Sequence, residues 1–406
     1  MSGERRIVVG LMAGNSLDGI SASVLATSGS GAGRSVEFLA YRLHPIAARL
    51  RESLLALHYP SSFSVSELVG AHIGFGHELA QAALGVLRQA DVPAGEAAVL
   101  GVQGANLVHA ISGRDEAFPV TGHMELGELA VVAEETGILV VGDLRPSDVA
   151  CGGEGAPLSS YVDHLLFGRL DDRARAIQNL GGIANVTYLP SNSTLDDLLA
   201  FDCGPANMVI DRLTAIFTDG RELYDEDGRR AERGTVHPEL LAKLMQHPYL
   251  AIPPPKTSRG PEEFGEEFVR RLLADAQAFA LAPDDILATA TQYSVECMAD
   301  HYVRFFPRLP DEVVLTGGGA HNLSLRRRLA ERLPGCRIRL HDEFGIPVDA
   351  REASTWAILA DETLHGVPAT APAATGAARR AVLGKIVTPS RLAGRLTVTT
   401  SGTGSA

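Results

Sequence analysis

The stretch Arg6-Ile-Val-Val-Gly-Leu-Met-Ala-Gly-Asn-Ser-Leu-Asp-Gly-Ile-Ser-Ala-Ser-Val-Leu-Ala26 decides the fold class. Two strand-like runs flank a turn of glycine and small polar residues at 14–19, which predicts a β-hairpin. Glycine lets the turn present backbone N–H groups to an anion, and the Asn15 and Ser16 side chains add donors. Asp18 is placed to face a metal ion. An ordinary hairpin turn explains the same residues equally well, and the Lys-Ser/Thr of a P-loop is absent.

The same combination of strand and glycine turn recurs in the second half of the chain. Strand-like runs at 175–180 and 186–189 flank Gly181-Gly182, and a strand at 312–316 ends in three glycines. Further strands are expected at 98–102, 137–142 and 199–202, and helices at 47–58, 64–92, 125–136, 208–217, 262–281, 284–306 and 351–365. Intermixed strands and helices predict an α/β protein of two similar lobes, with ligands at the carboxyl ends of the strands.

Composition excludes several classes of protein. The 406 residues are 45% apolar and 21% charged, as in an ordinary globular protein with two or three domains. The net charge of −13 argues against a nucleic-acid partner, because binding to phosphates needs clustered Lys and Arg. No apolar run approaches the ~18 residues of a membrane span. Four widely spaced cysteines fit a reduced, cytoplasmic chain.

Two further segments carry candidate ligand-binding groups. Asp202 ends an apolar run just before Gly204-Pro205, where a carboxylate would serve as a general base or a metal partner. The alternative is an aspartate that caps the helix beginning near Asn207. The triple glycine after residue 316 permits the close approach of a flat ligand such as an adenine ring, or it is only a tight connection from strand to helix.

Read in order, the motifs resemble those of the bacterial anhydro-N-acetylmuramic acid kinase family, from about residue 6 to 387. The matching segments are Gly10–Ile20, Gly142–Asp148, Gly152–Leu158, Leu180–Asn185, Phe201–Met208 with Asp211, Tyr224–Gly228, Pro248-Tyr249 with Pro253–Thr257, Gly317–Asn322, Glu352-Ala353 with Trp356-Ala357, and Thr375-Gly376 with Val382–Gly384. The resemblance implies the two-lobed fold of actin-like ATPases and sugar kinases, with an interlobe cleft. The lobes are expected at 1–138, completed by about 364–390, and at 139–363, followed by a disordered tail at 391–406. A homodimer is also implied.

The family's activity would be ATP-dependent cleavage of a 1,6-anhydro sugar and phosphorylation of its O6, with Mg²⁺ offsetting the charge of the triphosphate. By resemblance, Asp202 is the base that activates the attacking water. The residues implied for the nucleotide are Gly14, Asn15, Ser16, Asp18, Gly19, Gly181, Gly182, Asn185, Gly204, Asn207, Gly317, Gly318, Gly319 and Asn322. Those implied for the sugar are Gln103, Asn106, Arg145, Glu154 and Glu352. The scattered histidines predict no metal site built from protein side chains.

Departures from the family pattern cluster in the polar residues attached to its glycines. The usual Gly-x-His-Gly-Gln-Thr is Gly101-Val-Gln-Gly-Ala-Asn106 here, the glutamine of Gly-Gly-Gln-Gly is Glu154, and the threonine after the aspartate is Cys203. In the first loop, Asn15 and Ser21 stand where the family has Thr and Asp. Each lost hydrogen bond in a buried site costs roughly 1–3 kcal/mol, so a few such changes alter the choice of substrate.

Three functions therefore stay open from the sequence. The first is a kinase that recycles anhydro-N-acetylmuramic acid from the cell wall. The second is a diverged paralogue that phosphorylates another anhydro or bicyclic sugar, as in the biosynthesis of a specialised metabolite. The third is a weakly active nucleotide- and sugar-binding regulatory protein. The hypothesis attached to the second is that Glu154 reads a ligand rich in hydroxyl or amine groups.

Overall fold

The structure is a computed structural model that describes residues 4–14, 17–57, 63–110, 121–254, 256 and 260–395. The chain divides into two compact units. The first comprises Met1–Ala150, Glu352–Ala369 and Ala381–Ala406, and the second comprises Cys151–Arg351 and Thr370–Arg380. The structure thus places the first division between Ala150 and Cys151, whereas the sequence analysis expects it after residue 138.

The strands are short and spread over the whole chain. They are β1 (Arg6–Ala13), β2 (Ile20–Ser28), β3 (Ser35–His44), β4 (Ala97–Gln103), β5 (Ala105–Ala110), β6 (Gly122–Leu126), β7 (Val140–Gly142), β8 (Arg175–Leu180), β9 (Ile183–Leu189), β10 (Leu199–Pro205), β11 (Glu312–Thr316), β12 (Arg337–Leu340) and β13 (Lys385–Val387).

Helices alternate with these strands. They are α1 (Ala48–Leu57), α2 (Val65–Gln89), α3 (Leu129–Thr136), α4 (Arg145–Val149), α5 (Ser159–Phe167), α6 (Asn207–Phe217), α7 (Arg229–Arg233), α8 (Pro238–Leu244), α9 (Pro261–Phe264), α10 (Glu266–Ala278), α11 (Pro283–Phe305), α12 (Leu323–Arg332), α13 (Arg351–Leu364) and α14 (Pro372–Thr375).

The first unit is built on a six-stranded sheet of order β13-β7-β4-β1-β2-β3. The hairpin predicted at the N-terminus is confirmed, because β1 pairs antiparallel with β2 from Arg6 opposite Thr27 to Ala13 opposite Ile20. β2 continues antiparallel to β3, while β4 runs parallel to β1 and β7 parallel to β4. Parallel strands buried on both faces explain why β1 and β4 read as nearly continuous apolar runs.

The second unit repeats this arrangement. Its five-stranded sheet has the order β10-β9-β8-β11-β12, with β8, β9 and β10 antiparallel in sequence and β11 and β12 added in parallel beside β8. β8 to β12 therefore correspond one by one to β1, β2, β3, β4 and β7. The prediction of an α/β protein with two similar lobes is confirmed, and the repeated order is the one expected of the actin-like ATPase and sugar-kinase fold.

Glycines let helix α13 pack closely on the sheet of the first unit. A Cβ added to Gly10 would lie 1.9 Å from the Ala353 carbonyl oxygen, and one added to Gly101 would lie 2.1 Å from that of Trp356. The end of the same helix is tied down by buried ion pairs in which Asp361 accepts from Arg6 and Arg34. The C-terminal part of the chain is therefore integral to the first unit.

A local sequence signal marks the start of α2, and the structure corrects the bounds of two predicted helices. A capping box begins α2, since the Ser64 hydroxyl accepts from the Glu67 amide and the Glu67 carboxylate accepts from the Ser64 amide. The helix predicted over 125–136 begins only at Leu129, because β6 uses the preceding residues to pair with β5. The helix predicted over 262–281 is two helices, α9 and α10, separated by Gly265.

The C-terminal segment continues as a 3₁₀-helix over Ser390–Arg395, where the Arg391 side chain donates to the carbonyl oxygen of Gly137 at 2.6 Å. The rest of the predicted disordered tail, residues 396–406, lies outside the described residues.

Candidate active site

Asp202 lies on the edge strand of the second sheet, at a β-bulge. The ladder places Asp202 opposite Asn185 and resumes with Gly204 opposite Ala184, so Cys203 is the extra residue. A bulge re-aims the side chains next to it and is common beside active sites. The Asp202 amide donates to the Lys256 carbonyl oxygen at 3.1 Å, and its carbonyl oxygen accepts from the Tyr249 hydroxyl at 3.2 Å. The backbone of this candidate base is thus fixed from outside the sheet.

Asp202 does not cap the helix that follows it. The N-cap position of α6 is Ala206, with no side-chain cap. The first amides of the helix instead meet the Gly181-Gly182 turn, since Asn207 N donates to Gly181 O at 3.0 Å and Met208 N to Gly182 O at 3.1 Å. The start of α6 and this glycine turn therefore form one rigid piece.

The triple glycine packs on the end of β8. Gly317 has φ +77° and ψ 165°, and a Cβ there would lie 2.4 Å from Asn179 Oδ1. A Cβ on Gly319 would lie 2.6 Å from Asn207 Oδ1, whereas one on Gly318 would meet only Asn207 Nδ2, at 3.9 Å. Tight packing thus explains Gly317 and Gly319. The space around Gly318 would admit a side chain, so packing does not require a glycine at this position.

Two other residues of the second unit that are predicted to bind the nucleotide have structural roles of their own. Gly204 has φ +139°, which favours glycine, and its added Cβ would lie 3.2 Å from Cys297 Cβ. Asn322 caps α12 by accepting from the Leu325 amide at 2.9 Å. Its side-chain oxygen is therefore used within the fold.

Arg145, in the first unit, gathers several of the predicted sugar-binding residues. Its guanidinium donates to Gln103 Oε1 at 3.0 Å and stands 5.3 Å from the centre of the Trp356 ring. Burial lowers the pKa of Arg145, and the negative charges of Glu125, Glu352 and Asp148 oppose that effect. Three carboxylates thus act on one half-buried guanidinium, next to the end of β4.

Asn106 lies in the β5–β6 ribbon, opposite Glu125. Glu125 accepts from the Asp143 amide at 3.2 Å and lies 3.6 Å from His123 Nε2. The sequence does not mark Glu125 as a functional residue, and it indicates no role for Lys256 although Lys256 lies in the family-like segment Pro253–Thr257. Neither has a motif of its own, and only the pairing of strands reveals their neighbours.

The first glycine turn is described only in part. Asn15 and Ser16 lie outside the described residues. The Gly14 carbonyl accepts from Leu17 N at 3.0 Å, and a Cβ on Gly19 would lie 2.8 Å from the His44 carbonyl oxygen. The side chain of Asp18 is 71% exposed and pairs with Arg51 at 3.5 Å.

Glu154 belongs to the second unit and is half-buried. Its amide donates to the Thr375 carbonyl oxygen at 2.8 Å, which joins the Gly152–Leu158 segment to α14. The backbone of this segment is therefore anchored independently of the Glu154 side chain.

The described residues contain no group of three or more His, Cys, Asp or Glu side chains arranged to hold a metal ion. Bare glycine turns follow β8 and β11, and such turns can admit a phosphate group close to the backbone because no side chain stands in the way. Among the helices of the described residues, none is long and apolar enough to cross a membrane.

Comparison with known proteins identifies relatives along almost the full chain. Residues 6–389 match the family described as anhydro-N-acetylmuramic acid kinase. This chain is 37% identical to the anhydro-N-acetylmuramic acid kinase of Caldanaerobacter subterraneus subsp. tengcongensis and 38% identical to that of Salinibacter ruber. These matches cover 94% and 95% of this chain and 97% of each relative. Among solved structures, component A of the Acidaminococcus fermentans (R)-2-hydroxyglutaryl-CoA dehydratase is 12% identical with a TM-score of 0.46, covering 87% of this chain and 97% of that one.

These findings define an ATP-dependent carbohydrate kinase that acts on a small-molecule sugar. The chain belongs to the anhydro-N-acetylmuramic acid kinase family. The family resemblance drawn from the motifs is thereby confirmed.

Proposed function

We propose that this kinase opens the 1,6-anhydro ring of its sugar with water and transfers the γ-phosphoryl group of ATP to O6. The single observation that carries the proposal is the place of Asp202 in a bulge of an edge strand, in a chain that matches the kinase family from end to end. The step belongs to the recycling of cell-wall sugars.

Asp202 is proposed as the general base. Its carboxylate takes a proton from water as the water oxygen bonds to C1 of the sugar and the bond between C1 and O6 breaks. The freed O6 then bonds to the γ-phosphorus while the bond to the leaving ADP breaks, and the proton on Asp202 passes to solvent. An ionised carboxylate suits this role near neutral pH, and its backbone bonds to Lys256 and Tyr249 hold it for that purpose.

ATP supplies the phosphoryl group, and Mg²⁺ would neutralise the charge that develops on it. We assign the phosphates to the glycine turns, with Gly181, Gly182 and Gly318 offering backbone and Asn185 and Asn207 lying beside them. Gly14–Gly19 has the same role in the first unit. Gly204, Gly317 and Gly319 shape the turns, and Asn322 supports them through α12.

The sugar is assigned to the surroundings of Arg145. Gln103 and Asn106 would accept and donate hydrogen bonds to hydroxyl and acetamido groups, while Glu352 balances the guanidinium. In the second unit, Glu154 is the residue that we assign to the sugar.

A second candidate is supported by the charges around Arg145. Glu125, Glu352 and Asp148 outnumber this guanidinium, so a further carboxylate on the sugar would be repelled. A 1,6-anhydro sugar without a lactyl carboxylate, or one with an amine, would meet no such penalty. The second candidate is therefore a kinase of the same family whose substrate is a neutral or amine-bearing anhydro sugar.

A cytoplasmic homodimer is also part of the proposal. All four cysteines are buried and form no disulfide, which fits a reducing compartment. On α2, Val65, Val69 and Ile73 are exposed and recur every four residues, so they form one apolar stripe on the helix. A second copy of the chain would cover this stripe.

The test is ³¹P NMR of the purified protein with ATP, Mg²⁺ and 1,6-anhydro-N-acetylmuramic acid. Formation of the 6-phosphate by the wild type and by the control Asp196→Asn, but not by Asp202→Asn, is the expected result. Asp196 is an exposed aspartate paired with Arg380, so its replacement controls for the loss of a carboxylate. Product from Asp202→Asn at the wild-type rate would contradict the assignment of the base.

The same assay with an anhydro sugar that lacks the lactyl carboxylate separates the two candidates. Faster turnover of that sugar, reversed by Glu125→Gln, would establish the second candidate. Faster turnover of the muramic sugar by the wild type would remove it. A Glu154→Ala variant that binds its sugar as tightly as the wild type would exclude Glu154 from recognition.

A further inference from the structure

Lys256 differs from the other two lysines of the chain. Lys243 and Lys385 have side chains that are 58% and 67% exposed and pair with aspartates, whereas Lys256 is 4% exposed. A buried ammonium group loses its hydration and persists only where other groups compensate it. Its surroundings therefore need an explanation.

His301 and Tyr249 hold the ammonium group. Lys256 Nζ lies 2.6 Å from His301 Nε2 and donates to the Tyr249 carbonyl oxygen at 3.1 Å. His301 Nδ1 lies 2.6 Å from the Cys297 carbonyl oxygen, which only accepts, so Nδ1 carries a hydrogen. The neutral ring then presents a bare Nε2 to Lys256. Burial, with the charge of Lys256 next, lowers the pKa of His301 to about 4 and keeps the ring in this form.

The same residues hold Asp202. The Asp202 amide donates to the Lys256 carbonyl oxygen, and the Tyr249 hydroxyl donates to the Asp202 carbonyl oxygen. Since Lys256 Nζ also donates to the Tyr249 carbonyl oxygen and stands 4.3 Å from the centre of its ring, the three residues form a closed cycle of contacts. Moving any one of them displaces the backbone of the proposed base.

Lys256 and Asp202 also interact through their charges. Burial is the main cause that lowers the pKa of Lys256 to about 8, with Arg304 acting in the same direction. Cys203, Asp202 and Cys297 act against it. Coupling between two sites is reciprocal, so the ammonium group that Asp202 stabilises must favour the ionised form of Asp202 in turn.

We propose that Lys256 is a positioning residue of the active site: through Tyr249 it fixes the backbone of Asp202, and its charge favours the ionised form of that carboxylate. The inference rests on the proposed role of Asp202 as the base. Lys256 touches neither the sugar nor the nucleotide in this scheme, so its loss lowers kcat and leaves KM for the sugar nearly unchanged.

The first experiment compares Lys256→Met with the surface control Lys243→Met. Lys256→Met is expected to lower kcat by roughly tenfold or more, because small misplacements of a catalytic group are costly. It should also move the acidic limb of the kcat/KM profile to higher pH by about one pH unit. Tyr249→Phe removes only the hydroxyl that holds the Asp202 backbone, so it should lower kcat without moving that limb. An unmoved limb in a folded Lys256→Met protein would overturn the electrostatic part of the proposal.

The second experiment does not depend on activity. In protein labelled with ¹⁵N-lysine, the three side-chain signals are assigned with Lys243→Arg and Lys385→Arg and then titrated. The Lys256 signal should titrate near pH 8, and Asp202→Asn should lower its pKa because a charge that raises it is gone. An unchanged titration in Asp202→Asn would overturn the coupling. A wild type that forms no 6-phosphate while the Lys256 titration still responds to Asp202→Asn would refute the proposed function alone.

Discussion

Replacing Gly317 by alanine tests whether packing requires the first glycine of the triple glycine. The backbone at φ +77° and ψ 165° belongs to a region that essentially only glycine occupies, at a cost of about 1–3 kcal/mol for other residues. The new Cβ would also lie 2.4 Å from Asn179 Oδ1 and 2.9 Å from the Leu180 carbonyl carbon. Such overlap costs a further ~1–3 kcal/mol, so the expected loss of unfolding free energy is about 3 kcal/mol or more.

The matched control is Gly318→Ala, one residue further along. Its Cβ would meet only Asn207 Nδ2 at 3.9 Å, and Gly318 begins a 3₁₀-helix, so alanine should leave the stability nearly unchanged. Urea unfolding followed by far-UV circular dichroism measures the difference. With a slope of about 3 kcal/mol per M, the Gly317→Ala midpoint should fall by ~1 M relative to the control. Coincident unfolding curves for the two variants would refute the packing argument.

Three further predictions concern the first unit, the proposed dimer and the effect of acid. Arg145→Met removes the hydrogen bond to Gln103 and the positive charge near three carboxylates, so the unfolding free energy should fall by roughly 1–3 kcal/mol and KM for the sugar should rise. Val69→Asp should convert a dimer to a monomer in light scattering, while Val303→Asp, at an exposed valine of α11, should not. The hydrogen bond from Arg6 and the charge of Arg34 outweigh burial and lower the pKa of Asp361, so its stabilisation is full above about pH 4 and lost as the pH falls. The midpoints of wild type and Asp361→Asn in urea should therefore converge between neutral and strongly acidic pH.

Much of the fold could be predicted from the sequence, because its signals are local. Apolar runs around glycine turns predict the hairpins of β1 with β2 and of β8 with β9. The parallel strands are recognisable as apolar runs because both of their faces are buried. The predicted helix start at residue 125 was wrong, because β6 before the helix is made by pairing with β5, a contact that the sequence of residues 125–136 does not encode.

Candidate site residues could be predicted from the sequence only where a suitable side chain stands next to a turn. Asp202 follows an apolar run and precedes a Gly-Pro turn, so its segment carries the signal. Lys256 and Glu125 carry none, because their importance lies in what strands and loops bring beside them. Asn322 belongs to a segment that resembles the family motif, and its side chain caps helix α12. The sequence does not distinguish such a cap from a ligand-binding residue.

The order of synthesis has a consequence for the close packing of α13 on Gly10 and Gly101. Five of the six strands of the sheet that these glycines occupy are made first, yet its covering helix belongs to residues that emerge after the roughly 200 residues of the second unit. At about 5–20 residues per second the N-terminal strands wait ~10–40 s on the ribosome with one apolar face uncovered. The second unit can fold almost completely in that interval. A chaperone would therefore protect this protein most while its N-terminal segment is still attached to the ribosome.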